Sequence, residues 1–489
     1  MYTRLKLLAV SVVIAVALSA CSGGLSAHST QLNAATQPAA VMDSPPATQE
    51  PTSLTASPEA TPAQIGAFDT AGLMLDFSDA SGEFTLRLVD TLNGASVPGH
   101  EPLSFGSVGI YAYLPGRQDL AMVVYPSPNG PGGAQLVLLE IPSWTTSAMP
   151  LTLDGWAQVM AISSDGARIV VAAYGDGKNL ALVDAAKGEV IAEASVPNQV
   201  RGLSFTQDGS GLMVYASNED IKNDLSLGAP QALLLSANDL SVVWQTELAG
   251  VRDAFIPGPN YHGESHSPGA GTRYLPGVAF SPVSDILYVV HADEDRLNRV
   301  DFASRKVAAL DIRPPLSFVE RLLSLGARVA HAKMQSGTEK HVAVSMDGRS
   351  LFVTGMDNQF TLKENGQWDL RQRPLVLKVV DAATGSELHA LDTQADQVAL
   401  LPDGLVLLRT VISDVPSSEV YDPAAQKIII RYAGLYQNCV PLVKGGYVLA
   451  PAIFYGRTTE TQVYAPGSEK VLGSWAVEGY NSQWVSCSP

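Results

Sequence analysis

One turn recurs along this chain, and it limits the folds the chain can adopt. SSDGARI begins at Ser163, TQDGSGL at Thr206, SMDGRSL at Ser345 and LPDGLVL at Leu401. Each joins two short apolar runs. A second turn follows downstream of an apolar run ending in Asp: LVDTLNG from Leu88, LVDAAKG from Leu182, RVDFASR from Arg299 and VVDAATG from Val379. Glycine after Asp supplies a positive φ for a hairpin, and the strand-ending Asp can cap the backbone of its turn. Short strands punctuated this way, with a period of roughly 40–50 residues, are the signature of radially repeated sheets.

The repeat therefore predicts an all-β fold, a β-propeller of four-stranded blades. The inner strand and its turn recur near Leu114, Ser163, Thr206, Ser281, Ser345, Leu401, Val443 and Ser488. The third strand recurs as TLRLVD, QLVLLE, NLALVD, QALLLS, RLNRVD, VLKVVD, SSEVYD and TQVYAP. The two series are offset at the ends. Residues 69–98 carry later strands without an inner one, and the C-terminal SQWVSCSP reads as an inner strand with no blade behind it. If the C-terminus completes the first blade, no sheet edge stays open at the seam. The expectation is eight blades closed by the C-terminal strand, with seven as the alternative.

The pattern SxDGxxhhVA…hhVhDhAxG resembles the YVTN-type propellers of bacterial surface and periplasmic proteins, which share a superfamily shape with lactonase-like and WD40-like propellers. The resemblance covers most of residues 66–489 and is best at 156–195 and 338–391. It implies the fold. It implies little about function, because the shared residues serve turns and packing.

The ends carry a different message. Arg4 and Lys6 precede an apolar stretch from Leu7 to Leu18, and Leu18-Ser19-Ala20-Cys21 follows. This resembles a lipoprotein signal peptide (residues 1–20) whose cysteine, Cys21, receives lipid such as palmitate and becomes the N-terminus. An ordinary secretory signal is the alternative. Residues 21–65 are rich in Ala, Ser, Thr and Pro and lack apolar periodicity, which predicts a disordered tether. Residues 66–489 form the propeller domain. The resemblance implies a lipid-anchored, extracytoplasmic protein of the cell envelope, with the membrane as a partner through that lipid.

The formal net charge is −17, and removing Arg4 and Lys6 with the signal makes it −19. Such acidity argues against nucleic acid as a partner. With Cys21 committed to lipid, Cys439 and Cys487 remain as a candidate disulfide in an oxidising compartment, or as two buried thiols. Repeat alignment places them on adjacent inner strands, about two residues apart in height.

Departures from the repeat point to function. Residues 217–230, 249–272, 313–338 and 356–373 are insertions in b–c or d–a connections, which lie on one face of a propeller. They predict a binding face. One insertion predicts a short helix near 316–330: Ser317 and Glu320 form a capping box, and Phe318, Val319, Leu322 and Leu323 fall near helical spacing. Another reads GPNYHGESHSPGAG. His262, Glu264 and His266 are a candidate set for a divalent metal, with a solvated polar loop as the alternative. His291, His331 and His341 fall nearby in sequence. Phe255, Tyr261, Phe360 and Trp368 are candidate partner contacts.

No nucleophile elbow, phosphate loop, HExxH or CxxCH motif is present. The favoured reading is a binding or scaffold module for an envelope protein, peptide or glycan. The alternatives are a lactonase-like or metal-assisted hydrolase, and a structural envelope component.

Overall fold

The computed structural model describes residues 70–487 apart from 78–82, 116–118, 128–132, 176, 197–198, 218, 221–224, 227, 258–270, 313–337, 363–367, 413–414, 434–436, 452–458 and 478–480. All of these lie in the second of two units of the chain, Ser57–Pro489. The predicted helix near 316–330, the leader with Cys21 and the tether fall outside the described residues.

Among the described residues the fold is all-β. The repeating sheets are antiparallel, and the predicted inner and third strands sit where the repeat puts them. The second sheet runs Ser107–Tyr113, Asp119–Tyr125, Gln135–Glu140, Thr145–Pro150. The third runs Trp156–Ile162, Arg168–Tyr174, Leu180–Asp184, Glu189–Ala194. The fourth uses Gln199–Phe205, Gly211–Ser217, Gln231–Ser236 and Val242–Glu247. The fifth uses Gly277–Phe280, Ile286–Val290, Arg296–Asp301 and Lys306–Asp311. The last uses Gln437–Pro441, Tyr447–Pro451, Thr459–Tyr464 and Val471–Val477.

Turn chemistry explains the recurrence. Ser163 Oγ donates to Asp165 Oδ1 (2.6 Å) and accepts the Arg168 amide (2.9 Å), while Gly166 sits at φ 68°. Thr206, Asp208 and Gly209 repeat that arrangement, as do Ser345, Asp347 and Gly348. In the second turn, Asp184 Oδ1 accepts the amides of Ala186 and Lys187, and Asp381 Oδ1 those of Ala383 and Thr384.

Two features depart from a plain repeat. The sequence predicts separate four-stranded sheets over 339–433, but the structure joins them into one seven-stranded sheet. Glu387–Leu400 runs unbroken from the outer edge of one half to the inner edge of the next. It contains neither Gly nor Pro to force a turn, and Ala395 pairs with Leu375 on one side and Thr410 on the other. The second feature is the seam. The first sheet runs Leu103–Phe105, Phe84–Asp90, Ala71–Phe77, Asn481–Trp484, so the C-terminal strand lies along the N-terminal one.

The core consists of apolar layers between successive sheets. Ile169, Val171 and Val183 of the third sheet meet Val123 and Leu136 of the second. Val170 and Leu182, on the other face, meet Leu212 and Leu233 of the fourth. Each such strand is buried on both faces, which is why its sequence is a continuous apolar run. One layer joins Val440, Val448 and Val463 of the last sheet to Met74, Val89 and Trp484 of the first.

Cys439 and Cys487 are disulfide-bonded, with Cα atoms 5.3 Å apart. The height offset expected from repeat alignment does not keep them apart. The chain beyond Trp484 leaves the ladder, and the Cys487 amide donates to the Cys439 carbonyl (2.9 Å).

Candidate functional site

The insertions of the fourth sheet do not remain separate loops. They pair into a small extra sheet in the order Glu219–Asp220, Leu225–Ser226, Ala254–Pro257, Gly271–Tyr274. Its centre is a parallel match of Leu225 with Phe255. Its end is stitched onward: the Leu275 amide donates to the Thr338 carbonyl, and the Lys340 amide to the Leu275 carbonyl, both at 2.8 Å. The insertion at 356–373 extends an existing hairpin, from Met356 opposite Pro374 to Leu362 opposite Trp368. Asn358 donates its amide to Thr338 Oγ1 (3.0 Å), so this hairpin meets the same junction.

Beneath the extra sheet lies a buried polar chain. Gln199 Nε2 donates to Gln158 Oε1 of the third sheet (2.9 Å), and Arg201 donates to Gln199 Oε1 (3.2 Å). Arg201 also donates to Asp253 Oδ1 (2.7 Å), and the Tyr215 hydroxyl donates to Asp253 Oδ2 (2.7 Å). Asp253 opens the strand that enters the extra sheet and is 1% exposed. Burial pushes its carboxyl up, and the Arg201 charge and the Tyr215 hydroxyl oppose that. A buried carboxylate needs such partners to exist. Burial and the Asp253 charge push the Tyr215 hydroxyl far above its ordinary range.

A second charged group lies between the fifth sheet and the seven-stranded one. Lys378 Nζ is 2.6 Å from Asp295 Oδ2, and Lys340 Nζ is 3.8 Å from Asp295 Oδ1. Burial lowers Lys340 to about 8, although the Asp295 charge pulls the other way. Arg252 meets Asp293 at 3.1 Å and stacks 5.4 Å from the centre of the Tyr274 ring. On the far side, His341 meets Glu339 at 2.8 Å, which holds the Glu339 carboxyl below its usual value. Arg409 donates to Asp396 at 2.8 Å. These groups lie on inner strands, on their neighbours and in the turns between them, next to the long connections. They give a rim whose charged side chains hold one another in place.

Sequence reasoning pointed to the insertions but not to these residues. Their signal was available: Arg201 and Lys340 interrupt the otherwise mostly apolar inner strands QVRGLSF and EKHVAV. Phe255, proposed from sequence as a partner contact, is only 5% exposed. It pairs within the extra sheet and presents no ring to a partner. Phe360 and Trp368 are placed by backbone on the extended hairpin, opposite Leu370 and Leu362. Tyr261 and the candidate metal set His262, Glu264 and His266 lie outside the described residues. Among the described residues no group of three His, Cys, Asp or Glu side chains is arranged to hold a metal.

No family model matches the chain, and no curated protein matches it. Solved structures do. Dihydro-heme d1 dehydrogenase NirN in complex with DHE aligns with TM-score 0.51 and 14% identity, over 85% of this chain and 75% of that one. The C-terminal WD40 domain of Sif2 aligns with TM-score 0.47 and 10% identity, over 77% of this chain and 88% of that one. At such identity the first likeness speaks for the fold alone, and that fold is a β-propeller.

Proposed function

We propose that this chain is a lipid-anchored, extracytoplasmic β-propeller that binds a partner through its long-connection face. The observation carrying this reading is the rim. Two insertions of one sheet fold together, dock on the inner strand of a more distant one, and are fastened below by Asp253. Drifting loops have no need of buried ion pairs. A rim held this rigidly gives up little entropy on binding.

Eight blades are part of the proposal. The seven-stranded sheet counts as two blades sharing Glu387–Leu400, and the extra sheet is an appendage. Pairing of Asn481–Trp484 with Ala71–Phe77, and the apolar layer from Val448 to Met74, support closure at the seam. Lipid on Cys21, a tether over 21–65 and an envelope location rest on the leader sequence.

The partner class is an envelope protein, peptide or glycan. Capture from envelope extract tests the binding reading with charge reversals on each face. Arg252→Glu and Arg373→Glu lie on the long-connection face, and Met346→Glu on the opposite one. Loss with the first two and retention with the third is expected; the reverse pattern refutes the reading. Cys21→Ala tests the anchor: the protein leaves the membrane fraction, or the anchor is wrong.

A further inference from the structure

His291 is a buried imidazole without a well-formed hydrogen bond. It follows strand Ile286–Val290 and is 0% exposed; the Asn298 side chain is its nearest polar partner, but neither ring nitrogen reaches full hydrogen-bond geometry. A buried imidazole left in that state costs stability unless it serves a purpose. Its position supplies one. Gly250, at the stem of the inserted segment, packs against the ring: a Cβ at Gly250 would lie 3.8 Å from His291 Cε1. Two residues on, Asp293 holds Arg252 of that stem through Oδ2, while its Oδ1 is buried and unpaired. Arg252 in turn stacks on Tyr274, the last residue of the extra sheet.

We propose that His291 is a proton-operated latch on the long-connection face. The neutral ring lets loop 291–296 pack on the insertion stem. A proton on the ring places a charge there whose burial Asn298, Glu294 and Asp293 do not offset, and the loop and stem separate. Asp293 then loses its fixed position against Arg252, and the extra sheet loosens at its base. The latch deepens the binding reading, and it rests on that reading only for the consequence that a partner is released in acid.

Asn298, Glu294 and Asp293 favour the protonated form, and Arg296 opposes it. Burial outweighs the first three, so the ring titrates below its ordinary 6.5. The closed state therefore binds fewer protons than the open one below that value. Closure is undiminished above 6.5 and weakens as pH falls from there toward the ring's value in the closed state.

Hydrogen exchange on the full chain in detergent tests the latch, at about pH 7.5 and about pH 5.5, on either side of the imidazole range. After correction for intrinsic exchange, peptides over 250–257 and 286–296 should lose protection by about tenfold per pH unit below the ordinary histidine value. Peptides over 168–174, in the third sheet, should not change. His291→Gln should abolish the acid response. Equal responses in wild type and variant, or no response in wild type, overturn the proposal. If His291→Gln does not fold, the labelled ring of the wild type decides. A ring titration that tracks the exchange midpoint supports the latch, and a ring that titrates without it refutes the latch. Neither readout involves a partner, so failure of the latch and failure of the binding reading are separable.

Discussion

Arg201 Nη1 lies 2.7 Å from Asp253 Oδ1 and ties an inner strand to the base of an insertion, across 52 residues of chain. The carboxylate is fully buried and the Arg201 side chain only partly so. Removing one partner strands the other. Asp253→Ala should cost about 3 kcal/mol, the low end for breaking a buried pair, because Arg201 keeps some solvent contact. The double replacement Arg201→Met with Asp253→Leu should recover much of that loss. Denaturant unfolding of the two variants and wild type checks both outcomes.

The Cys439–Cys487 bridge closes a loop of 48 residues at the seam. Chain entropy assigns such a loop about 4 kcal/mol of stabilisation as an upper figure. Cys487→Ser should lower the thermal midpoint under oxidising conditions. Wild type and variant should converge once wild type is reduced.

The repeated turn makes a local prediction. Gly209 sits at φ 69° with nothing within 4 Å of where a Cβ would point. Gly209→Ala therefore tests backbone strain without a clash, and should cost about 1 kcal/mol. Gly348→Ala, where a Cβ would meet Val283 Cγ2 at 2.5 Å, should cost more until that side chain shifts.

Lys340 carries a pH signature. Its value in the fold is about 8, against an ordinary 10.5. Between those values the unfolded chain still holds a proton that the folded chain has released. Stability should therefore rise with pH across that window, by up to about 1.4 kcal/mol per unit. Lys340→Met should lack this slope. Urea midpoints measured through the window on both proteins reveal it.

The fold was legible because its punctuation is local. Asp165 with Gly166 and Asp184 with Gly188 make their turns from neighbouring residues, so the sequence displays them directly. The merged sheet was harder to read. Glu387–Leu400 differs from two strands and a turn only by lacking a breaker. The rim was legible as a face and illegible as a site. Arg201 and Asp253, or Asp295 and Lys378, meet across sheets, and spacing along the chain does not encode which charges will converge. Phe255 shows the same limit: an aromatic in an insertion was read as a contact, and pairing with Leu225 buried it.

Site-specific photo-cross-linking in intact cells tests the proposed binding face most directly. A photoreactive side chain replaces Arg373 on the extended hairpin, where 57% of the side chain is exposed. In a second protein it replaces Val283, 52% exposed in an inner-strand turn on the opposite face. The account predicts a discrete adduct from position 373 and none from position 283. An adduct from position 283 with none from 373 would contradict it.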